Sequence, residues 1–117
     1  MIDVPYVYEV SFNVTPDQMS QLEIGQSLER LVGYMKIRLP VQEGFVFADA
    51  WYSVDDPAKT RVIARSEWSD WTDVEAHRKS SLLEDHVFEE FEPHVKPGDV
   101  TIRTYAEVGS GPFSARR

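Results

Sequence analysis

The chain has no cysteine among its 117 residues. Disulfides, thiolate metal sites, iron–sulfur clusters and thiol nucleophiles are therefore excluded. Basic residues are scarce: 12 Lys and Arg stand against 20 Asp and Glu, for a net charge of −8. Lys and Arg are what neutralise phosphate, so neither a nucleic acid nor an anionic lipid surface is expected as a partner. No apolar run approaches the roughly 20 residues of a membrane span. The opening Met1-Ile2-Asp3-Val4-Pro5 has no basic segment followed by an apolar one, so no secretory signal is expected. Gly109-Ser110-Gly111-Pro112 lacks the strand before and helix after that a phosphate cradle needs. The expectation is a cytoplasmic protein with no membrane or nucleic-acid partner.

What is present is a globular composition, 42% hydrophobic and 12% aromatic. At this length a single domain can bury about two thirds of its unfolded surface without staples. Tyr6, Tyr8, Val10, Phe12 and Val14 alternate with Glu9, Ser11 and Asn13, the pattern of a half-buried strand. Pro16 suits the first turn of a following helix, whose apolar stripe is Leu28, Leu31, Val32, Met35 and Leu39. Gly25 weakens its start and Pro40 ends it. Residues 45–54 and 61–68 read as a hairpin around Asp55-Asp56-Pro57. Residues 72–92 are helical, with Leu83, Val87, Phe88 and Phe91 on one stripe and a break near Ser80-Ser81. A last strand spans 100–108.

The order is β-α-β-β-α-β, the ferredoxin-like α+β plan: a four-stranded antiparallel sheet with helices on one face. One domain covers 1–108, and 109–117 is a C-terminal tail. The other sheet face would carry Glu9, Asp49, Trp51, Arg65, Glu67, Arg103, Tyr105 and Glu107. Aromatics among charges of both signs suit a polar interface, so a self-complementary homodimer through this face is expected, with Trp51 and Tyr105 in it.

Several stretches together resemble a known family. Glu43-Gly44-Phe45 opens the second strand and Asp55-Asp56-Pro57 closes it. Glu67-Trp68-Ser69-Asp70-Trp71 ends the third, and Ala76-His77-Arg78-Lys79-Ser80 follows on the helix. Over residues 6–108 the chain resembles the antibiotic biosynthesis monooxygenase domain of the dimeric α+β barrel superfamily. The resemblance implies a homodimer whose two sheets close into a barrel, with a pocket in each subunit between sheet and helices. It also implies oxidation of a small aromatic, such as a quinol or a polyketide, by molecular oxygen with no metal or other cofactor. Haem degradation, found in another branch, is not implied: Val10 falls at that branch's Asn position and His77 at its Trp position.

Four side chains are the candidate site. His77 is the candidate base or hydrogen-bond donor to an acidic phenol, and the competing reading is a histidine locking strand to helix. Trp68, carried over from the resemblance as a catalytic-site residue, would wall a flat substrate or simply fill the core. Tyr8 and Tyr34 are candidate substrate-binding hydroxyls, or packing residues whose hydroxyls reach the edge. His86, Glu90 and His94 step by four, as metal ligands on a helix can, but Pro93 interrupts the series and a solvated face is the better account. No metal site is expected. The leading function is a cofactor-independent monooxygenase acting on a small aromatic. The alternatives are a non-catalytic small-molecule-binding or stress-related dimer, and an isomerase or lactone-forming enzyme needing no oxygen.

Overall fold

The computed structural model of the chain describes residues 5–109. Strand β1 (Tyr6–Val14) follows its alternation: Tyr8, Val10, Phe12 and Val14 are buried on one side, and Asn13 is exposed on the other. Helix α1 spans Gln21–Arg38. It does not begin at Pro16, which the sequence suggested for its first turn. Thr15 and Gln18 instead close a turn, and Ser20 caps the helix in a reciprocal box with Glu23. Ser20 Oγ accepts from the Glu23 amide at 3.2 Å, and Glu23 Oε1 accepts from the Ser20 amide at 2.9 Å. Two free amides are satisfied that a proline turn would leave open. Leu28, Leu31 and Met35 form the buried stripe as expected, with Val32 at its edge. Leu39 and Pro40 pass into a short 3₁₀ turn.

Strands β2 (Phe45–Tyr52) and β3 (Thr60–Trp68) form the hairpin. β2 stops two residues earlier than its pattern suggested. Along β3 burial alternates without a break from Thr60 to Trp68. Asp70 caps helix α2 (Trp71–Ser80) by accepting from the Asp73 amide at 3.0 Å. The expected break falls at Ser81, which adopts φ 57°, and helix α3 (Leu82–Phe91) follows. Strand β4 is Thr101–Ala106, shorter than residues 100–108, and every one of its residues is exposed. The expected tail lies, from residue 110 onward, outside the described residues.

The strands pair antiparallel in the order β2-β3-β1-β4, and the helices pack on one face of that sheet. This is the expected ferredoxin-like α+β fold. The core lies between the two layers, built from Tyr8, Phe12, Ile24, Leu31, Met35, Trp68, Leu83 and Phe91 among others. Among the described residues no helix is long and apolar enough to cross a membrane.

Candidate functional site

The strand and helix periods bring Tyr8, Trp68 and His77 together at the seam between sheet and helices. Tyr8 and Trp68 sit on helix-facing positions of the paired strands β1 and β3, and His77 hangs from α2 above them. The His77 imidazole stacks on the Trp68 indole at 4.3 Å, 26° from parallel, and meets the Tyr8 ring edge-on at 5.1 Å. Phe45 meets Trp68 edge-on at 5.5 Å. All three site residues are buried, with His77 and Trp68 at 0% exposure.

The polar atoms of this cluster form a single directed chain. Trp68 donates its indole N–H to Ser66 Oγ at 2.9 Å. Ser66 Oγ lies 3.2 Å from His77 Nε2, and His77 Nδ1 lies 2.8 Å from Gln42 Oε1. A carbonyl oxygen only accepts, so Nδ1 carries the proton and donates to Gln42. Nε2 is then bare and accepts the Ser66 hydroxyl hydrogen, which leaves that oxygen free to accept from Trp68. One neutral tautomer satisfies every group. Burial pushes the His77 pKa down to about 4, because the apolar surroundings penalise the imidazolium. At neutral pH His77 is an uncharged, doubly bonded ring and a weak base.

Gln42 and Ser66 are the members that sequence reasoning missed. Ser66 was legible as a helix-facing position of β3, two residues from Trp68. Gln42 carries no periodic signal, since it lies in the turn between α1 and β2. That turn is held by Gly44, whose φ of +83° suits glycine and whose carbonyl accepts from the Ser69 amide at 2.9 Å. Asp73 of α2 packs against Gly44 where a Cβ would lie. The turn is thus fastened to the start of α2, one helical turn from His77.

A sixth residue, also unsignalled, borders the cluster. Glu84 in the first turn of α3 is buried at 8% exposure, and its Oε1 has no hydrogen-bond partner among the described residues. The Tyr8 pKa is raised, first by burial and then by Glu84, whose carboxylate lies beside the phenol.

Tyr34 is not brought to this centre. It is half-exposed on α1, and its ring lies parallel to that of His86 at 5.3 Å. His86 itself is buried, not on a solvated face as its acidic neighbours suggested, because α3 turns it against α1. Glu90 bonds Arg30 at 2.6 Å, and His94 lies beyond the end of α3, so the four-residue spacing does not assemble one site.

The other sheet face carries the expected residues, ordered by register. Asp49, Arg65, Glu9 and Arg103 stand side by side across the four strands, alternating in sign. Arg65 donates to both Asp49 oxygens, at 3.0 and 2.8 Å, and lies 5.5 Å over the Trp51 ring. Tyr105 donates to Glu9 at 3.1 Å. Burial and the nearby charge of Glu107 raise the Glu67 pKa. A concavity of about 970 Å³ opens here, walled by Phe47, Trp51, Ile63, Arg65 and Tyr105 among others. Trp51 is 56% exposed.

No family model and no curated protein matches the sequence. Solved structures do match over nearly the whole chain. A dimeric ferredoxin-like protein from an uncultured marine organism has a TM-score of 0.64 at 11% identity, covering 92% of this chain and 99% of its own. A candidate antibiotic biosynthesis monooxygenase from Bacillus cereus has a TM-score of 0.59 at 18% identity, covering 93% and 98%. A hydroxynitrile lyase from Passiflora edulis has a TM-score of 0.53 at 16% identity, covering 92% and 97%. At these identities the likeness is one of fold. The chain has the ferredoxin-like fold that antibiotic biosynthesis monooxygenase candidates share, and proteins of different chemistry share it as well.

Proposed function

We propose that the chain is a homodimer that binds a small electron-rich aromatic, of the quinol or polyketide type, and oxidises it with molecular oxygen without a cofactor. The observation that carries the reading is the Tyr8–Trp68–His77 cluster, an aromatic and polar centre at the seam of sheet and helices. The candidate monooxygenases of the same fold support it. Gln42, the partner of His77 Nδ1, is half-buried in a surface turn. Displacing that side chain turns the imidazole N–H toward a ligand. Trp68 then forms a flat wall, and the neutral ring donates a hydrogen bond to oxygen charge developing on the substrate. In an anthrone-type substrate one oxygen atom enters as a ring carbonyl where a CH₂ stood, and in a quinol it enters at a ring C–H to give a hydroxyquinone. The other leaves as water, with every electron drawn from the substrate.

The dimer in this reading closes through the other sheet face. Its row of alternating charges meets the same row of a second copy, and its exposed aromatics become the rim of a closed barrel.

Oxygen uptake with a panel of hydroquinones and anthrone-like phenols tests the chemistry. Wild-type protein should consume oxygen, and a Trp68→Phe, His77→Gln double variant should be slower by tenfold or more. Equal rates in the two proteins would sink the reading for those substrates. A second reading is favoured by the closure of the cluster, in which each polar atom of Ser66, Trp68 and His77 is already paired. It is a non-catalytic dimer that binds a small aromatic, and its signature is saturable binding with no uptake.

A further inference from the structure

The sheet face away from the helices carries a row of charge whose sign alternates strand by strand. Asp49 on β2, Arg65 on β3, Glu9 on β1 and Arg103 on β4 are successive register partners. Half of this row is satisfied within the chain. Arg65 holds both Asp49 oxygens through Nε and Nη2, which leaves the rest of its guanidinium N–H groups free to donate. The other half is open. Among the described residues Glu9 accepts only from the Tyr105 hydroxyl, and neither Glu9 nor Arg103 has an ion-pair partner, although the two are register neighbours. Such charges are enclosed without loss only where opposite charges meet them.

Two copies that pack these faces about a two-fold axis keep their strands aligned in two ways, with the axis along the strands or across them. An axis across the strands and through the row sets each of the four residues against its own twin and repels at every position. One that misses the row lays the charges on a neighbouring row, in which the partner's Glu67 is the only charge at best. An axis along the strands, midway between β3 and β1, turns the row end for end. Minus-plus-minus-plus then faces plus-minus-plus-minus, and every position attracts. Moving that axis onto β3 or β1 sets Arg65 or Glu9 against its own twin.

We propose that a second copy of this chain docks with the two-fold axis parallel to the strands, so that Arg65 meets the partner's Glu9 and Asp49 meets the partner's Arg103. Symmetry forms each pair twice. In the next row the same rotation brings Phe47, 46% exposed, against the partner's Tyr105, whose own exposure is 43%. It also lays β2 beside the partner's β4, and these are the two open edges of the sheet, so one docking covers both. This deepens the dimer reading above and rests on it: that reading names the face, and the row names the orientation and the partner of each charge.

The test mixes two charge-reversed chains. Arg65→Glu sets a carboxylate against the partner's Glu9 twice, and Glu9→Arg sets a guanidinium against the partner's Arg65 twice. Each variant alone should dimerise about a hundredfold or more weakly than wild type. In a mixed dimer the two introduced charges face each other and the two native ones do the same, so affinity should return to within about tenfold of wild type. Native mass spectrometry of the full chains counts the mixed dimers, because the variants differ in mass, and circular dichroism shows that each is folded before mixing. Asp49→Lys with Arg103→Glu is a second complementary pair and should behave alike. A dimeric wild type with no mixed dimer from either pair overturns the orientation and leaves the dimer standing. Mixed dimers of Arg65→Glu with wild type, in excess of wild-type dimers, would set like residues opposite one another and overturn it too. A wild type that stays a single chain overturns both.

Discussion

His77 lies face to face with Trp68, 4.3 Å apart, and the two rings are joined a second time through the hydroxyl of Ser66. A strand end and a helix are thereby coupled by stacking and by a hydrogen-bond chain at once. Histidine suits this place only as the neutral ring, because protonation would put a second donor against the Ser66 hydroxyl and a charge among apolar side chains.

Acid should therefore loosen the fold through His77. Its pKa is near 4 folded and near 6.5 in the unfolded chain. As pH falls, the unfolded state takes up the proton first, so this contribution is full above about pH 7 and is lost between pH 6.5 and 4. A depression of this size corresponds to about 3 kcal/mol. Urea unfolding across that range should show the loss, and the wild-type slope should exceed that of His77→Gln, which cannot titrate. A His77 resonance titrating near 6.5 in the folded protein would refute the assignment.

Ser66→Ala removes the hydroxyl at the centre of the chain. It strands the Trp68 N–H and His77 Nε2 together in a site without exposure. Each unpaired buried group costs about 1–3 kcal/mol, so a loss of roughly 2–4 kcal/mol is expected. Ser53→Ala is the comparison outside the cluster; its hydroxyl accepts one bond from the Arg61 amide at 2.8 Å, and it should cost about 1 kcal/mol. Denaturant midpoints of the two variants decide whether the chain carries this weight; equal losses would argue that it does not.

Periodicity made most of this frame legible. Alternation in β1 and β3 placed Tyr8 and Trp68 on the helix side, and the same alternation placed Glu9, Arg65 and Glu67 opposite. The break at Ser81 was visible as a pair of serines interrupting an apolar stripe. The start of α1 was misplaced because Pro16 is compatible with a helix start, while the reciprocal bonds of Ser20 and Glu23 are what fix it. Local pattern could not show that Gln42 meets His77, 35 residues away, since a turn residue has no face. Glu84 was hidden for the opposite reason. It sits near Asp85 and Glu89, and only the direction of α3 separates the buried carboxylate from those exposed ones. His86 was misjudged in the same way, by the rotation of the same helix.

Gly44→Ala should uncouple Gln42 from His77. An alanine at φ +83° carries about 1–2 kcal/mol of backbone strain, and its Cβ would fall on the Asp73 side chain. The turn would have to shift away from α2, taking Gln42 with it. The expected loss is about 2–3 kcal/mol of stability. Its more specific mark would be a change in the His77 Nδ1–H resonance while the Nε2 side stays bonded to Ser66. An unchanged Nδ1–H signal would show that Gly44 does not position Gln42.

Arg65→Glu tests the sheet face as the place where two copies meet. Arg65 stands between Asp49 and Glu9 in the cross-strand row, and their charges raise its own pKa, the Asp49 hydrogen bonds foremost. The substitution sets three carboxylates side by side, next to Glu67, whose pKa is already raised by burial and by Glu107. On an open monomer face such repulsion is largely screened by water and salt, and the fold should survive it. Between two copies each row would confront its twin with water excluded, and like charges there cost several kcal/mol. Sedimentation velocity should accordingly give two chains for the wild type and one for Arg65→Glu, with the circular dichroism of the two proteins alike. High salt should restore part of the dimer in the variant, because the obstacle is charge and not shape. A wild-type protein sedimenting as a single chain would leave Trp51, Phe47 and Tyr105 facing solvent and would end the barrel reading of this face.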